Sequence, residues 1–281
     1  MKKIHCLIVC IVAYFSAGAQ QINVMTFNIR YNNPDDSLNA WPYRKDKVAS
    51  QILFHEVNLL GVQEALYDQM EDLKQRLPQF KYLGVGRTDG KQAGEYSAIF
   101  YDTTKLTALK YETFWLSETP AVAGSKSWDA AITRIVTWAK FKEKKSGKIF
   151  FAFNTHFDHI GKVARRESAR ILIQKVKEIA GNVPAVITGD FNAVPTDEPV
   201  QVIKDATNNL HLTNSIERSV TPHYGPIGTF NAFGPKEVRN EPIDYIFLKN
   251  NWKVLKHATI SQSWNGRFAS DHFSVLATLA F

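Results

Sequence analysis

The sequence predicts an α+β or layered α/β sandwich. Three observations carry that reading. Short β-branched and aromatic runs stand at both ends of the chain. Helical patterns are interspersed between runs of this kind. The middle is strand after strand, without the regular strand–helix alternation of a barrel.

The elements follow in order. Gln21–Phe27 reads as a strand ending at Asn28, with Ile22, Val24, Met25 and Phe27 as its apolar members. Tyr31–Pro42 is rich in Asn, Asp and Pro and reads as a loop carrying Trp41, with Arg44 just beyond it. Asp46–Val57 places Val48, Ile52 and Leu53 at helical spacing. Asn58–Gln63 is a short apolar strand leading into Glu64, and Leu66, Met70, Leu73 and Leu77 mark a helix stopped by Pro78. Strands are expected at Phe80–Val85, Glu95–Tyr101, Leu109–Leu116, Ile132–Lys142 and Lys148–His156. Gly147 suits the turn before the last of these. Lys162–Ala180 reads as a helix ended by Gly181, with its many charges on a solvated face. Val183–Ile187 is apolar enough to be a strand buried on both faces. A short helix near Glu198–Asp205, a long loop from Thr213 to Pro242, and strands at Ile243–Leu248, Trp252–Ile260 and His272–Leu279 complete the chain.

Residues 1–19 read as a secretory signal peptide: Lys2 and Lys3, the apolar run His5–Phe15, then the small residues Ala17-Gly18-Ala19 before the cleavage point. The protein is therefore expected to be exported. The run is too short to span a bilayer comfortably, which disfavours a membrane anchor. A lipoprotein signal at Cys10 competes, but the bulky Val9 before it fits poorly. Residues 20–281 read as one domain, since no linker, low-complexity tract or repeat divides them. Both cysteines, Cys6 and Cys10, lie in the leader, so the mature chain has no disulfide, thiolate metal site or Cys nucleophile. Losing Lys2 and Lys3 lowers the formal charge from +7 to +5. That modest bias suits anionic substrates and falls short of the basic stripe of a dedicated nucleic-acid binder.

The chemistry gathers at strand ends. Asn28, Glu64, Asn154 with His156, Asp190 with Asn192, and Asp244 each finish or open a predicted strand, and Asp271-His272 opens the last one. In an extended chain Asp190 and Asn192 face the same way, so a carboxylate and an amide would project together; a simple turn is the bland alternative for this stretch. Burying so many polar groups without partners is costly, so they either pair together or hold a cation and substrate. Glu64, Asn28 and Asp271 are hard oxygen donors, suited to Mg²⁺ or Mn²⁺. There is no HExxH pair, no GxSxG elbow and no P-loop. Activation of water by a carboxylate, a metal ion and histidines is the chemistry that remains.

Seven signatures occur in order: Met25-Thr26-Phe27-Asn28-Ile29-Arg30-Tyr31, Gly61-Val62-Gln63-Glu64, Gly94–Tyr101, Asn154–His159, Thr188–Pro195, Ile243–Phe247 and Ser270-Asp271-His272. Together they resemble the endonuclease/exonuclease/phosphatase superfamily with its DNase I-like fold, and the likeness spans essentially all of the mature chain. The resemblance implies a four-layer αββα sandwich, with two mixed β-sheets packed face to face and helices outside. It implies Glu64 as principal Mg²⁺ ligand with Asn28 beside it and Asp271 at the metal or its waters. Asp190 would position or deprotonate the attacking water, and Asn192 would hold a phosphate oxygen. His272 would polarise the phosphoryl group, oriented by Asp244, and His156 would be a second active-site histidine with Glu95 as its carboxylate partner. The whole arrangement most resembles the small secreted bacterial members, related to deadenylase-like exonucleases.

Several features bear on the substrate. Members that resemble DNase I carry an Arg soon after the metal-binding Glu; here Ala65-Leu66-Tyr67 follows Glu64, which argues against duplex DNA. No exposed aromatic hairpin suggests stable membrane insertion, with Trp264 the lone candidate. Arg30, Arg44, Arg87 and Arg165, with Asn154, are candidate contacts to phosphate, and Trp41 and Trp115 are candidate stacking platforms. The expected partner is a small phosphorylated metabolite, a nucleotide or an RNA 3′ end, with a secreted nuclease or a sphingomyelinase-like lipid phosphodiesterase as alternatives. The sequence carries no signal for oligomeric state.

Overall fold

The computed structural model describes residues 20–234 and 238–281, so the leader expected at residues 1–19 lies outside the described residues. In order the elements are β1 (Gln21–Asn28), α1 (Lys45–Phe54), β2 (Leu59–Ala65), α2 (Tyr67–Arg76), β3 (Phe80–Leu83), β4 (Tyr96–Asp102) and β5 (Leu106–Trp115). Next come β6 (Ile135–Glu143), β7 (Ile149–His156), α3 (Lys162–Ala180), β8 (Ala185–Asp190), α4 (Glu198–Lys204) and β9 (Thr213–Asn214). The chain ends with β10 (Asp244–Lys249), β11 (Lys253–Ile260), β12 (Ser263–Trp264), β13 (Arg267–Phe268) and β14 (Ser274–Ala280).

Two mixed six-stranded sheets form, in the orders β11-β14-β1-β2-β4-β3 and β5-β6-β7-β8-β10-β9. The alternation along each strand separates three apolar layers. Ile22 and Val24 of β1 face Val186 of β8 and Ile246 and Leu248 of β10 between the sheets. The opposite parity of β1, Met25 and Phe27, packs with Val48 and Ile52 of α1 and Met70 and Leu73 of α2. The outer parity of the second sheet, Ile187 and Phe247, packs under Leu172 and Val176 of α3 and Val200 of α4. The four-layer helix–sheet–sheet–helix sandwich is thus present.

The main helices and strands match the sequence reading with shifted ends. The expected loop at Tyr31–Pro42 holds 3₁₀ turns at Pro34–Asn39 and Trp41–Tyr43, and the short β12 and β13 were not expected. The first helix stops at Phe54, before Glu56 takes a left-handed φ of 49°. The strand expected at 183–187 runs on to Asp190, and the long loop from residue 213 holds β9 and a 3₁₀ turn at Ser215–Arg218.

Toward one end, the space between the sheets turns polar. Thr26, Gln63, Asn154 and Thr188 continue the inward parity of their strands, and all are buried. Asn154 donates to Val62 O and Ala98 O (2.8 and 2.9 Å) across the gap, and its Oδ1 accepts from Gln63 Nε2 and Thr188 Oγ1 (2.6 and 3.0 Å). The sheets approach so closely here that a Cβ on Gly61 would lie 2.1 Å from Thr188 Oγ1 and 2.4 Å from Asn154 Oδ1. Gly61→Ala is therefore expected to cost about 3 kcal/mol of stability, because neither buried, hydrogen-bonded neighbour can yield cheaply. Urea denaturation measures this; a loss under about 0.5 kcal/mol would show that the polar layer adapts freely.

Candidate active site

One row further along the same parity, the polar layer becomes the floor of a cleft. β7 runs parallel to β8 with His156 opposite Asp190, and β10 runs antiparallel to β8 with Asp244 opposite Asp190. His156, Asp190 and Asp244 therefore stand side by side on the inner face of one sheet. Asn28, at the end of β1, faces them from the other sheet: its Nδ2 donates to Asp190 Oδ2 at 3.0 Å and to Glu64 Oε1 at 2.9 Å. Glu64 follows Gln63, whose side chain already faces inward, so plain alternation would turn Glu64 outward. A register shift between Gln63 and Ala65 and a φ of 66° at Glu64 turn it inward instead. Bulges of this kind re-aim side chains, and a positive φ at Glu is held only where the surroundings enforce it.

The rest of the network follows from these placements. Asp190 Oδ1 accepts the Asn192 N–H at 2.9 Å. Asn192 adopts φ 47° and donates its amide to Phe157 O and to His156 Nε2, each at 3.0 Å. Asp190 and Asn192 thus meet through a left-handed turn, not through the extended i, i+2 geometry expected. Because Asn192 donates to Nε2, neutral His156 carries its proton on Nδ1. Burial, with Arg134 and Arg87 nearby, holds the His156 pKa well below the ordinary value. His272 Nδ1 lies 2.9 Å from Asp244 Oδ2, and its Nε2 is 3.8 Å from Asp190 Oδ2. Burial opposes the charge on His272, but the Asp244 carboxylate outweighs it and raises the pKa well above the ordinary value. Burial, reinforced by Asp244, lifts Asp190 to about 7. Phe230 packs on the His272 ring, with centroids 5.0 Å apart.

The cleft over this floor holds about 940 Å³, and Arg30, Glu64, Glu95, His156, Asp190, Asn192, Asp271 and His272 all line it. Atoms of Glu64, His156 and Asp190 capable of binding a metal lie within 4.8 Å of one another, as do those of Asp190, Asp244 and His272. Carboxylate oxygens beside solvent suit a hard divalent cation that keeps several waters, so the residues present fit such an ion. Asn28 stands beside Glu64. Its Oδ1 accepts the Arg30 N–H at 3.0 Å and its amide nitrogen faces the acids, so it orients Glu64 and Asp190. Asp271, which is buried, lies 3.8 Å from Arg30 Nε.

Several expectations are corrected. Arg44 lines no part of the cleft: it is 1% exposed and donates to the carbonyls of Ile29 (2.7 Å), Ala269 (2.8 Å) and Asn39, bracing the 29–44 segment from behind. Asn154 is fully buried one row below the site, tying the sheets together. Glu95 is not the partner of His156, because Arg87 grips its carboxylate in a two-bond fork, both at 2.7 Å. That same fork occupies Arg87, just as Asp36 occupies Arg30 with two bonds of 3.0 Å. Trp41 and Trp115 are buried and offer no stacking face. Sequence reasoning missed Arg134, a cation inside the apolar run that starts at Ile132; a charge in such a run was its only local signal.

The sequence profile described as the Endonuclease/Exonuclease/phosphatase family matches residues 25–272, from within β1 to His272. The chain belongs to that family. Family members are phosphoester hydrolases that use divalent metal ions. The fold is shared with an endonuclease/exonuclease/phosphatase structure from Bacteroides vulgatus, 43% identical with a TM-score of 0.88, covering 93% of this chain and 99% of that one. It is shared equally with the Bacteroides thetaiotaomicron mannosyl-6-phosphatase, 38% identical with a TM-score of 0.87, covering 92% and 100%. Nocturnin of Drosophila melanogaster is 24% identical over 86% of this chain, and the chain spans 42% of that longer relative.

Proposed function

We propose that this chain is an exported, Mg²⁺- or Mn²⁺-dependent hydrolase of small phosphorylated metabolites, acting as a phosphatase with water as nucleophile. The observation that carries the reading is the convergence of Asp190, Asp244–His272 and Glu64 from two sheets on one cleft floor. Export rests on the leader-like pattern of residues 1–19. The 38% identity to a mannosyl-6-phosphatase over nearly the whole length of both chains favours a sugar phosphate or similar monoester over a polymer.

The roles follow from protonation and placement. Glu64, with Asp271 near its waters, would hold the cation, which when bound supplies charge stabilisation for the phosphoryl oxygens. Asp190, once ionised, accepts a proton from the attacking water and fixes its direction. Protonated His272, held by Asp244, donates a hydrogen bond to a phosphoryl oxygen and balances the growing negative charge. Asn192 and His156 steady the opposite side of the same group. Arg30 is tied to Asp36 and Arg87 to Glu95, so both shape the cleft by pairing.

The test is a substrate panel with the purified mature chain: mannose 6-phosphate, p-nitrophenyl phosphate, its bis ester, a short RNA and sphingomyelin vesicles, with and without EDTA. Expected is hydrolysis of the monoesters that chelation abolishes and Mg²⁺ or Mn²⁺ restores. Turnover indifferent to EDTA overturns the metal reading; a clear preference for RNA or lipid overturns the substrate reading.

A further inference from the structure

The cleft has a second wall that the chemistry above does not use. Arg134, His159, Lys162 and Arg165 line it. One buried acid organises them. Asp158 accepts the N–H groups of Ile160 (3.0 Å), Gly161 (2.7 Å) and Ile132 (3.2 Å), and its carbonyl accepts Arg165 Nη1 at 2.9 Å. This folds the β7–α3 connection against the segment leading into β6, and it sets the basic side chains on one side of the cleft. The start of α3 is itself engaged, since Val163 and Ala164 donate their N–H groups to Asp129. Side chains, not the helix terminus, therefore give this wall its character.

Arg134 is the informative member. It is 4% exposed, lies 3.8 Å from Asp158 Oδ2 and contacts His159 Nδ1 at 3.2 Å. Its Nε and Nη1 are nevertheless buried without hydrogen-bond partners among the described residues, as is Arg165 Nε. Among the described residues, Lys162 and Arg165 also form no ion pair with a carboxylate. Leaving donors of a buried cation unmet costs roughly 1–3 kcal/mol or more per group, which a fold retains where a ligand supplies the acceptors. A cleft of about 940 Å³ also far exceeds a single phosphate.

Resting on the phosphoester-hydrolase reading, we infer that Arg134, His159, Lys162 and Arg165 form a second anion subsite. Preferred substrates therefore carry a second phosphate or a carboxylate besides the ester that is cleaved. Arg134 and Arg165 supply held, pre-oriented donors, and the exposed Lys162 supplies mobile charge.

Alkane bisphosphonates of propyl to pentyl length test this against alkyl monophosphonates of the same lengths. Their carbon–phosphorus bonds resist hydrolysis, so binding to the Mg²⁺-loaded protein is read by calorimetry without turnover. At least one bisphosphonate is expected to bind at least about tenfold more tightly than its monophosphonate. In Lys162→Gln/Arg165→Gln that advantage falls to within about twofold, while monophosphonate affinity holds. Lys162→Gln alone, at an exposed position, gives a partial loss and guards against misfolding of the double variant. Equal affinities in the parent, or equal losses for both ligand types in the variants, overturn the inference. Failure of the hydrolase reading is separate: it shows as absent EDTA-sensitive turnover and leaves the calorimetric comparison standing.

Discussion

Asp190→Asn is expected to lower kcat by about 10³-fold or more, the scale associated with removing a positioned proton acceptor. The carboxylate sits where three strands and both sheets meet, hydrogen-bonded by Asn28 and the Asn192 N–H. An amide preserves shape and the bond from Asn192 but cannot accept a proton. Stability is expected to move the other way with pH. The folded chain holds the Asp190 pKa at about 7, against 3.8 for an ordinary Asp, mainly through burial and then through Asp244. Between those values the folded state binds a proton that the unfolded chain has released, so the parent loses stability as pH rises through that window. Asn carries no such penalty. In EDTA, the thermal midpoint of the variant relative to the parent should therefore improve by several degrees between pH 5 and pH 8. Activity within tenfold of the parent, or a midpoint difference flat in pH, would contradict the role and environment assigned to Asp190.

The second large effect is expected for Asp244→Asn, with a loss of about 10²- to 10⁴-fold in kcat/KM and the fold intact. Asp244 keeps the His272 ring in place and its proton on. An amide at 244 can present the wrong hydrogen-bonding group to Nδ1 and no longer stabilises the imidazolium. NMR titration should show the His272 pKa falling sharply in the variant, since burial then acts without its opposing charge. The pH dependence has the same sign as at Asp190, because both pKa values are raised on folding. Here, however, the protonated form is stabilised by a partner, whereas at Asp190 the charged form is penalised by burial. A histidine whose pKa is raised on folding contributes stability that is complete below its unfolded value near 6.5 and fades as pH rises through the folded value. Asp244→Asn should thus destabilise most at or below pH 6 and least in strong alkali. An unchanged His272 titration would remove the basis for this pairing.

Much of the site was legible because the strand period is local. Val24-Thr26-Asn28, Ala152-Asn154-His156 and Val186-Thr188-Asp190 each step from apolar core through polar layer to cleft on a single parity. A reader of the sequence sees polar residues at strand ends and infers a shared site. The same regularity could not tell Asn154 from His156, since both lie on the inner face. Only the depth of each along the strand separates a sheet-to-sheet tie from a cleft residue. Arg44 misled for a related reason: a loop arginine looks solvent-facing until four backbone carbonyls close around it.

The amino-acid order by itself determined the layered fold, the strand parities and which acids and imidazoles reach one end of the sheets. These depend on alternation and on burial of apolar surface within each short segment. Folding in three dimensions decided who pairs with whom. It turned Glu64 inward through a bulge, gave Glu95 to Arg87 rather than to His156, and set Arg134 among cations beside the cleft. Such choices are settled by distances of a few ångströms between residues far apart in the chain, where one hydrogen bond excludes another.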